Sequence, residues 1–213
     1  MRPLLALGAL TALSAPASAG LVVENTSFAD TNGAGNAQSA MSFTTDSADY
    51  RLDRVVAVLG ELNIGADLTV TGRIFSDAGG VPGSVVANGT LSQVTLSGFA
   101  QTPRDFLPQS GVLSLLADTT YWLVLESLGG INGLLWQRAV SADERSPAPY
   151  AWTIGDDHAF FSSPDGWASA ASIYTLEVYA TADGAGIPSP ATIPLLLLGL
   201  GVLGQAYRRR SAT

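Results

Sequence analysis

The chain has no cysteine. That excludes disulfide scaffolds, thiolate metal sites and cysteine nucleophiles. An exported domain of this size folds without disulfides, so the absence is compatible with secretion. Lysine is missing as well, and charged residues make up only 13% of the 213 residues. Histidine occurs once, as His158. A multi-histidine metal site is therefore impossible, and a serine hydrolase would have to use this one imidazole as its base. No Gly-x-Ser-x-Gly elbow is present to supply the nucleophile. Long stretches of helical period are nearly absent too.

What charge there is sits unevenly. All eighteen acidic residues lie between Glu24 and Asp183, alongside six arginines: Arg51, Arg54, Arg73, Arg104, Arg138 and Arg145. Eighteen acids less six arginines leaves −12 on this stretch, against −8 for the whole chain. Such a surface repels phosphate backbones, so no nucleic-acid partner is expected. It suits divalent cations or neutral sugars, and equally a solubilised extracellular domain.

The two ends read as signals. Residues 1–19 form a secretory signal peptide: Arg2 supplies the positive start, Leu4 to Leu13 the apolar run, and Ala17 and Ala19 the small residues of an Ala-x-Ala exit. Residues 183–192 form a linker that carries Ile187, Pro188, Ser189, Pro190 and Ala191. An apolar segment, 193–207, follows, and a basic tail, 208–213, opens with Arg208, Arg209 and Arg210. The apolar run is about 15 residues, where roughly 20 span a bilayer comfortably. The arginines have the character of a stop-transfer block that stays on the cytoplasmic side. The body, 20–182, is then expected outside the inner membrane.

A proline motif, a short apolar helix and a terminal arginine cluster, in that order, resemble the PEP-CTERM group of sorting signals. The motif here is closer to the variant with Val-Pro-Leu-Pro-Ala before the helix than to a literal Pro-Glu-Pro. The resemblance implies an exosortase, a membrane-embedded processing enzyme, as partner. It also implies passage through the inner membrane toward the outer membrane, cell surface or extracellular matrix. An ordinary C-terminal membrane helix is the alternative.

The body reads as strands: Met41–Thr44, Tyr50–Leu59, Asp67–Phe75, Ser84–Ala87, Val94–Phe99, Gly111–Leu116, Thr120–Ser127, Gly133–Ala139 and Ile173–Thr181. In the third, Leu68, Val70, Gly72 and Ile74 alternate with Thr69, Thr71, Arg73 and Phe75. In the seventh, Tyr121, Leu123 and Leu125 face one way and Trp122 and Val124 the other, which marks a central strand covered on both sides. Ser76 to Gly83 is the strongest turn, Asn88-Gly89 a hairpin turn of the primed type, and Gly129 to Gly133 a further turn. The expected fold is all-β: a two-sheet antiparallel sandwich of jelly-roll type.

The strings Tyr50-Arg51-Leu52-Asp53-Arg54-Val55, Val70 to Asp77, Gly79 to Val86 and Leu116 to Leu125 together resemble the choice-of-anchor domains of bacterial surface proteins. That resemblance implies a β-sandwich at the cell surface and brings no catalytic residues.

Candidate ligand-binding residues are aromatic. Trp152, Trp167 and Tyr150 lie in a turn-rich region from which rings can stack on sugars, whereas Trp122 and Trp136 are expected in the core. The acidic loops Asp30 to Asn36 and Gly155 to His158 carry oxygen ligands of the kind calcium takes, without EF-hand spacing. The same residue types favour plain solvated loops. No cofactor is expected, with calcium the one candidate. The reading that follows is a non-catalytic structural or adhesive surface protein; the alternative is a carbohydrate-binding module for extracellular polysaccharide.

Overall fold

A computed structural model describes residues 19–28, 38–62, 67–128, 133–139, 145–162 and 165–183. These fall within one unit, Ser18–Asp183. The signal segment up to Ala17, the motif Ile187–Ala191, the apolar segment 193–207, Arg208 to Arg210 and the loop Asp30 to Asn36 lie outside the described residues.

Among the described residues there is no α-helix, only a 3-10 turn at Thr26–Phe28. The first six-stranded sheet is built on β3 (Tyr50–Glu61). Its order is β1 (Gly20–Glu24), β14 (Glu177–Ala182), β3, β6 (Thr102–Phe106), and the short β7 (Ser114–Leu115) and β9 (Leu134–Trp136) also pair with β3. The second runs β12 (Gly166–Ala170), β11 (Thr153–Ser162), β2 (Gln38–Thr44), β8 (Thr120–Leu128), β4 (Leu68–Asp77), β5 (Pro82–Leu96). A two-stranded ribbon pairs β10 (Arg138–Ala139) with β13 (Ile173–Tyr174). All of these pairings are antiparallel. The all-β expectation holds, and the two large sheets make a β-sandwich.

Four of the pairs nest inside one another along the chain. β4 pairs with β5, β3 with β6, β2 with β8 and β1 with β14, alternating between the sheets. The innermost pair is a hairpin closed at the turn that composition marks. Asp77 accepts from the Gly79 and Gly80 amides, Ala78 N–H donates to Val81 O, and both glycines take positive φ (79° and 89°).

Alternation explains the core. Leu68, Val70 and Ile74 of β4 meet Met41 and Phe43 of β2, Tyr121, Leu123 and Leu125 of β8, and Leu52, Val55, Ala57 and Leu59 of β3 in one buried cluster. Trp136 is fully buried there, in line with expectation; Trp122 is also buried, at 3% exposed, but on the opposite face of its sheet and not in this core. β8 is central, between β2 and β4. Its opposite face, Trp122 and Val124, packs with Ala40, Ala159, Phe75 and Trp167 in a second cluster outside the sandwich.

Four expectations need correction. Asn88-Gly89 is not a hairpin turn: it is a bulge inside the continuous β5, where residues 85 to 90 of β5 oppose only 75 to 73 of β4. Asn88 takes φ 59° and its Nδ2 donates to Val112 O, so a neighbouring loop holds the kink. The expected strand Val94–Phe99 ends at Leu96, leaving Phe99 exposed in a loop. Gly133–Ala139 and Ile173–Thr181 each break in two, as β9 with β10 and β13 with β14. Gln137 N–H donates to Val58 O and Thr175 N–H to Gln137 O where the chain changes sheets.

Gly72 shows how tightly the sheets approach. A Cβ there would lie 2.7 Å from Cδ1 of the fully buried Phe106 and 3.4 Å from Leu91 Cδ1. We expect Gly72→Ala to lower stability by about 1–3 kcal/mol, the usual cost of overpacking. Urea denaturation checks this; an unchanged midpoint would mean that Phe106 yields freely.

Candidate functional site

The expected aromatic set separates. Trp152 is 1% exposed and belongs to the main core. Phe43 stacks on it at 5.9 Å and 8°, and Tyr50 meets it edge-on at 4.9 Å. Covered this way, Trp152 offers no ring face to a sugar, which corrects its expected role. Its segment lies beside the open end of β2, and burying a large ring there is worth more than exposing it. Tyr150 is half-buried against Tyr50 at 6.2 Å, at the same end of the sandwich. Trp167 lies elsewhere, on the outer face of the second sheet, where Phe161 meets its ring edge-on at 5.6 Å.

That outer face is the candidate site, and register lays it out in rows. Phe75, Trp122 and Ser42 are successive partners across β4, β8 and β2. Arg73, Val124, Ala40, Ala159 and Ser169 form the next row across five strands. Thr71, Glu126 and Gln38 form the third. Phe160 pairs with Ser39, so Phe161 stands beside Gln38, opposite Trp167. Phe161 is 41% exposed, and Trp167 and Phe75 are half-buried.

Polar side chains fill the spaces between the rings. Arg73 Nη1 lies 2.8 Å from Glu126 Oε2, and Gln38 Nε2 donates to Glu126 Oε1 at 2.9 Å. Gln93 Nε2 donates to Thr71 Oγ1 at 3.2 Å. Trp122 Nε1 donates to Asp77 Oδ1 at 2.8 Å, which orients the indole from the hairpin. Burial acts to raise the Asp77 carboxyl, but the hydrogen bonds from Trp122, Gly79 and Gly80 outweigh it and hold it below the ordinary range. Ring faces flanked by fixed donors and acceptors are a surface on which the C–H face of a pyranoside can stack while its hydroxyls find partners.

Sequence reasoning named Trp167 and missed Phe161, Phe75 and the Arg73–Glu126–Gln38 triad. β11 was the hidden element: Gly155-Asp156-Asp157 and Ser162 read as loop composition, yet β11 pairs on both edges. The alternation of Phe161 with the inward His158 and Phe160 was the available signal.

His158 is 4% exposed. Its Nδ1 lies 3.1 Å from the Ser172 carbonyl, and its ring packs against Tyr174 at 4.6 Å and Phe160 at 6.1 Å. One partner of its Nδ1 is thus a backbone carbonyl. Among the described residues no group of three or more His, Asp or Glu side chains is arranged to hold a metal ion.

Comparison with protein-family models, with curated proteins and with solved structures finds no match. The resemblances drawn from the terminal signal and from the body strings therefore rest on those residues alone.

Two measurements follow from the separation of the rings. Trp152→Ala is expected to cost about 3–5 kcal/mol in denaturation, as a core deletion, and Trp167→Ala about 1 kcal/mol or less; equal losses would contradict the assignment. The second concerns Tyr50, whose hydroxyl donates to Asp46 at 2.9 Å. Burial pushes its phenol up to about 12; the Asp46 carboxylate adds to this and the Trp152 indole opposes it. A phenol near 10 in the unfolded chain then contributes stability that is complete below about pH 10. It is lost as pH rises through about 12. Tyr50→Phe should flatten the stability curve in that window, and an unchanged slope would count against it.

Proposed function

We propose that the chain is an exported, exosortase-sorted protein of the cell surface or extracellular matrix, whose β-sandwich body has a structural or adhesive role without catalysis. A secretory signal at residues 1–19 and an ordered motif, apolar segment and arginine block at 187–210 bracket a body with no catalytic motif. This bracketing is the observation that carries the reading. The body is of jelly-roll type, a reading supported by the nesting of β4–β5, β3–β6, β2–β8 and β1–β14 across two sheets.

A second reading, recognition of extracellular polysaccharide, is favoured by one observation. The outer face of the second sheet aligns Phe75, Trp167 and the exposed Phe161 with Arg73, Glu126, Gln38 and Gln93. The ligand it suits is a neutral or weakly charged glycan laid across the strands.

Intact mass and cell fraction, measured with and without residues 188–213, test the first reading. The expected result is loss of residues 1–19 and of the tail, with the product outside the inner membrane. A full-length C-terminus retained in the inner membrane would make the tail an anchor and remove the exosortase. For the second reading, the parent and a Phe161→Ala/Trp167→Ala double variant are compared in sedimentation with insoluble extracellular polysaccharide. The variant should lose most of its binding while keeping its circular dichroism spectrum; equal sedimentation would sink the idea.

A further inference from the structure

The two large sheets end in four strands, β1 and β6 in the first, β12 and β5 in the second. Three of these edges are closed. On β1, Glu24 N–H donates to Arg145 O and Arg145 N–H to Glu24 O, and the Val22 carbonyl accepts from Ser146 Oγ. Its register also slips between Leu21 and Val23. β6 carries Pro103, Arg104 and Asp105 within its short span. β5 slips against β4 at three places, and its outer side is occupied: Ser92 N–H donates to Leu107 O and Gln109 N–H to Thr90 O. Bulges, proline, charge and a covering segment are the devices that keep an edge from pairing with another chain.

β12 has none of them. It reads Gly-Trp-Ala-Ser-Ala, without charge or proline. It pairs with β11 from Gly166 to Ala170 without a slip, and among the described residues no strand pairs with its other side. At its last residue the Ala170 carbonyl accepts locally from Ser172 N–H. In such a strand every second residue turns its N–H and C=O outward, a template for one further strand.

We propose that β12 pairs antiparallel with β12 of a second copy of this chain, about a two-fold axis at Ala168. Gly166 then faces Ala170 of the partner subunit, and Trp167 faces Ser169 of the partner subunit. The edge is complementary to itself in size. Each indole lies against an exposed serine, and glycine and alanines make up the other face, so no bulky side chain blocks approach. Phe161 meets Trp167 from the β11 side, which leaves the ring's other side toward the open edge. Charge selects the same strand. At −12, eighteen acids less six arginines, the body repels a copy of itself, and two copies approach with least repulsion along an edge without acids. Asp165 and its counterpart stand at opposite ends of the paired strands. Pairing sets Phe161 and Trp167 of both copies on one continuous outer face, whether or not that face binds glycan. So short a pairing is smaller than the usual stable interface, which makes the dimer weak and concentration-dependent.

The chain has no cysteine, so a single introduced thiol reads the register. Full chains carrying Ala168→Cys or, as control, Ser84→Cys at an exposed position of β5 are mildly oxidised in detergent solution. Directly opposed Cα atoms in antiparallel strands lie about 4.5–5.5 Å apart, within disulfide range. The expected result is a disulfide-linked dimer of Ala168→Cys, formed well ahead of any from the control. Sedimentation of the parent should show a dimer that dissociates on dilution. Ser169→Glu, a change at an exposed position, places two like charges across the axis and should raise the dissociation constant about fivefold or more. Cross-linking no faster than the control overturns the proposal, as does parent-like dissociation of Ser169→Glu. A parent that is monomeric at every concentration also overturns it, and leaves this edge to a strand of another protein.

Discussion

β14 lies between β1 and β3, so the first sheet is completed only when the last described strand inserts beside the first. Glu177 to Ala182 pair with Val56 back to Tyr50 on one edge, and Glu177 to Ala180 with Glu24 back to Gly20 on the other. No local segment can satisfy those backbone groups in its place. The other pairs depend on the same logic: β3 with β6 and β2 with β8 also join segments far apart in sequence. Such contacts reward the chain only after long loops have closed, which makes this a high-contact-order topology and a slow one to form.

The second sheet carries apolar residues on both faces, and each face has a different use. The inward set, Leu123 with Met41 and Ile74, joins the shared core. The outward set, Trp122, Val124, Ala40 and Ala159, would ordinarily be polar on a sandwich exterior. Here it is framed by Arg73, Glu126 and Gln38, whose mutual contacts hold their polar ends in place over the apolar row. The result is a firm platform instead of a loose patch.

Much of the fold was legible because alternation in β4 and β8 separates the two faces unambiguously. The hairpin at Asp77–Val81 was equally clear, since consecutive glycines at positive φ follow an aspartate able to accept their amides. Asn88-Gly89 misled for a tertiary reason: the same left-handed preference that makes a primed turn also makes a bulge, and the contact with Val112 O selects the bulge. β6, β11 and β12 were invisible because their composition is that of loops, and only partners distant in sequence make them strands; β1 is β-rich (Leu21-Val22-Val23) but short and directly follows the signal segment. The candidate site suffered accordingly. Trp167 could be named, but its ring partner Phe161 sits on one of those hidden strands, and nothing local told Trp152 apart as a core residue.

The Thr26 hydroxyl sits 2.9 Å from Glu24 Oε2 and 2.8 Å from Glu177 Oε1, fastening the far end of the β1–β14 pair. At the near end Asp183 N–H donates to Asp49 O, just past the point where β14 ends opposite Tyr50. Both chain exits of the body, at residues 20 and 183, therefore lie at one end of the first sheet. The mechanical consequence concerns tension applied at residue 183. Such a pull runs along β14 and loads its hydrogen bonds to β1 and β3 in shear, so that they must fail together and not one after another. A body held by its C-terminal side and gripped elsewhere on its surface would resist extraction through an interior strand of that sheet.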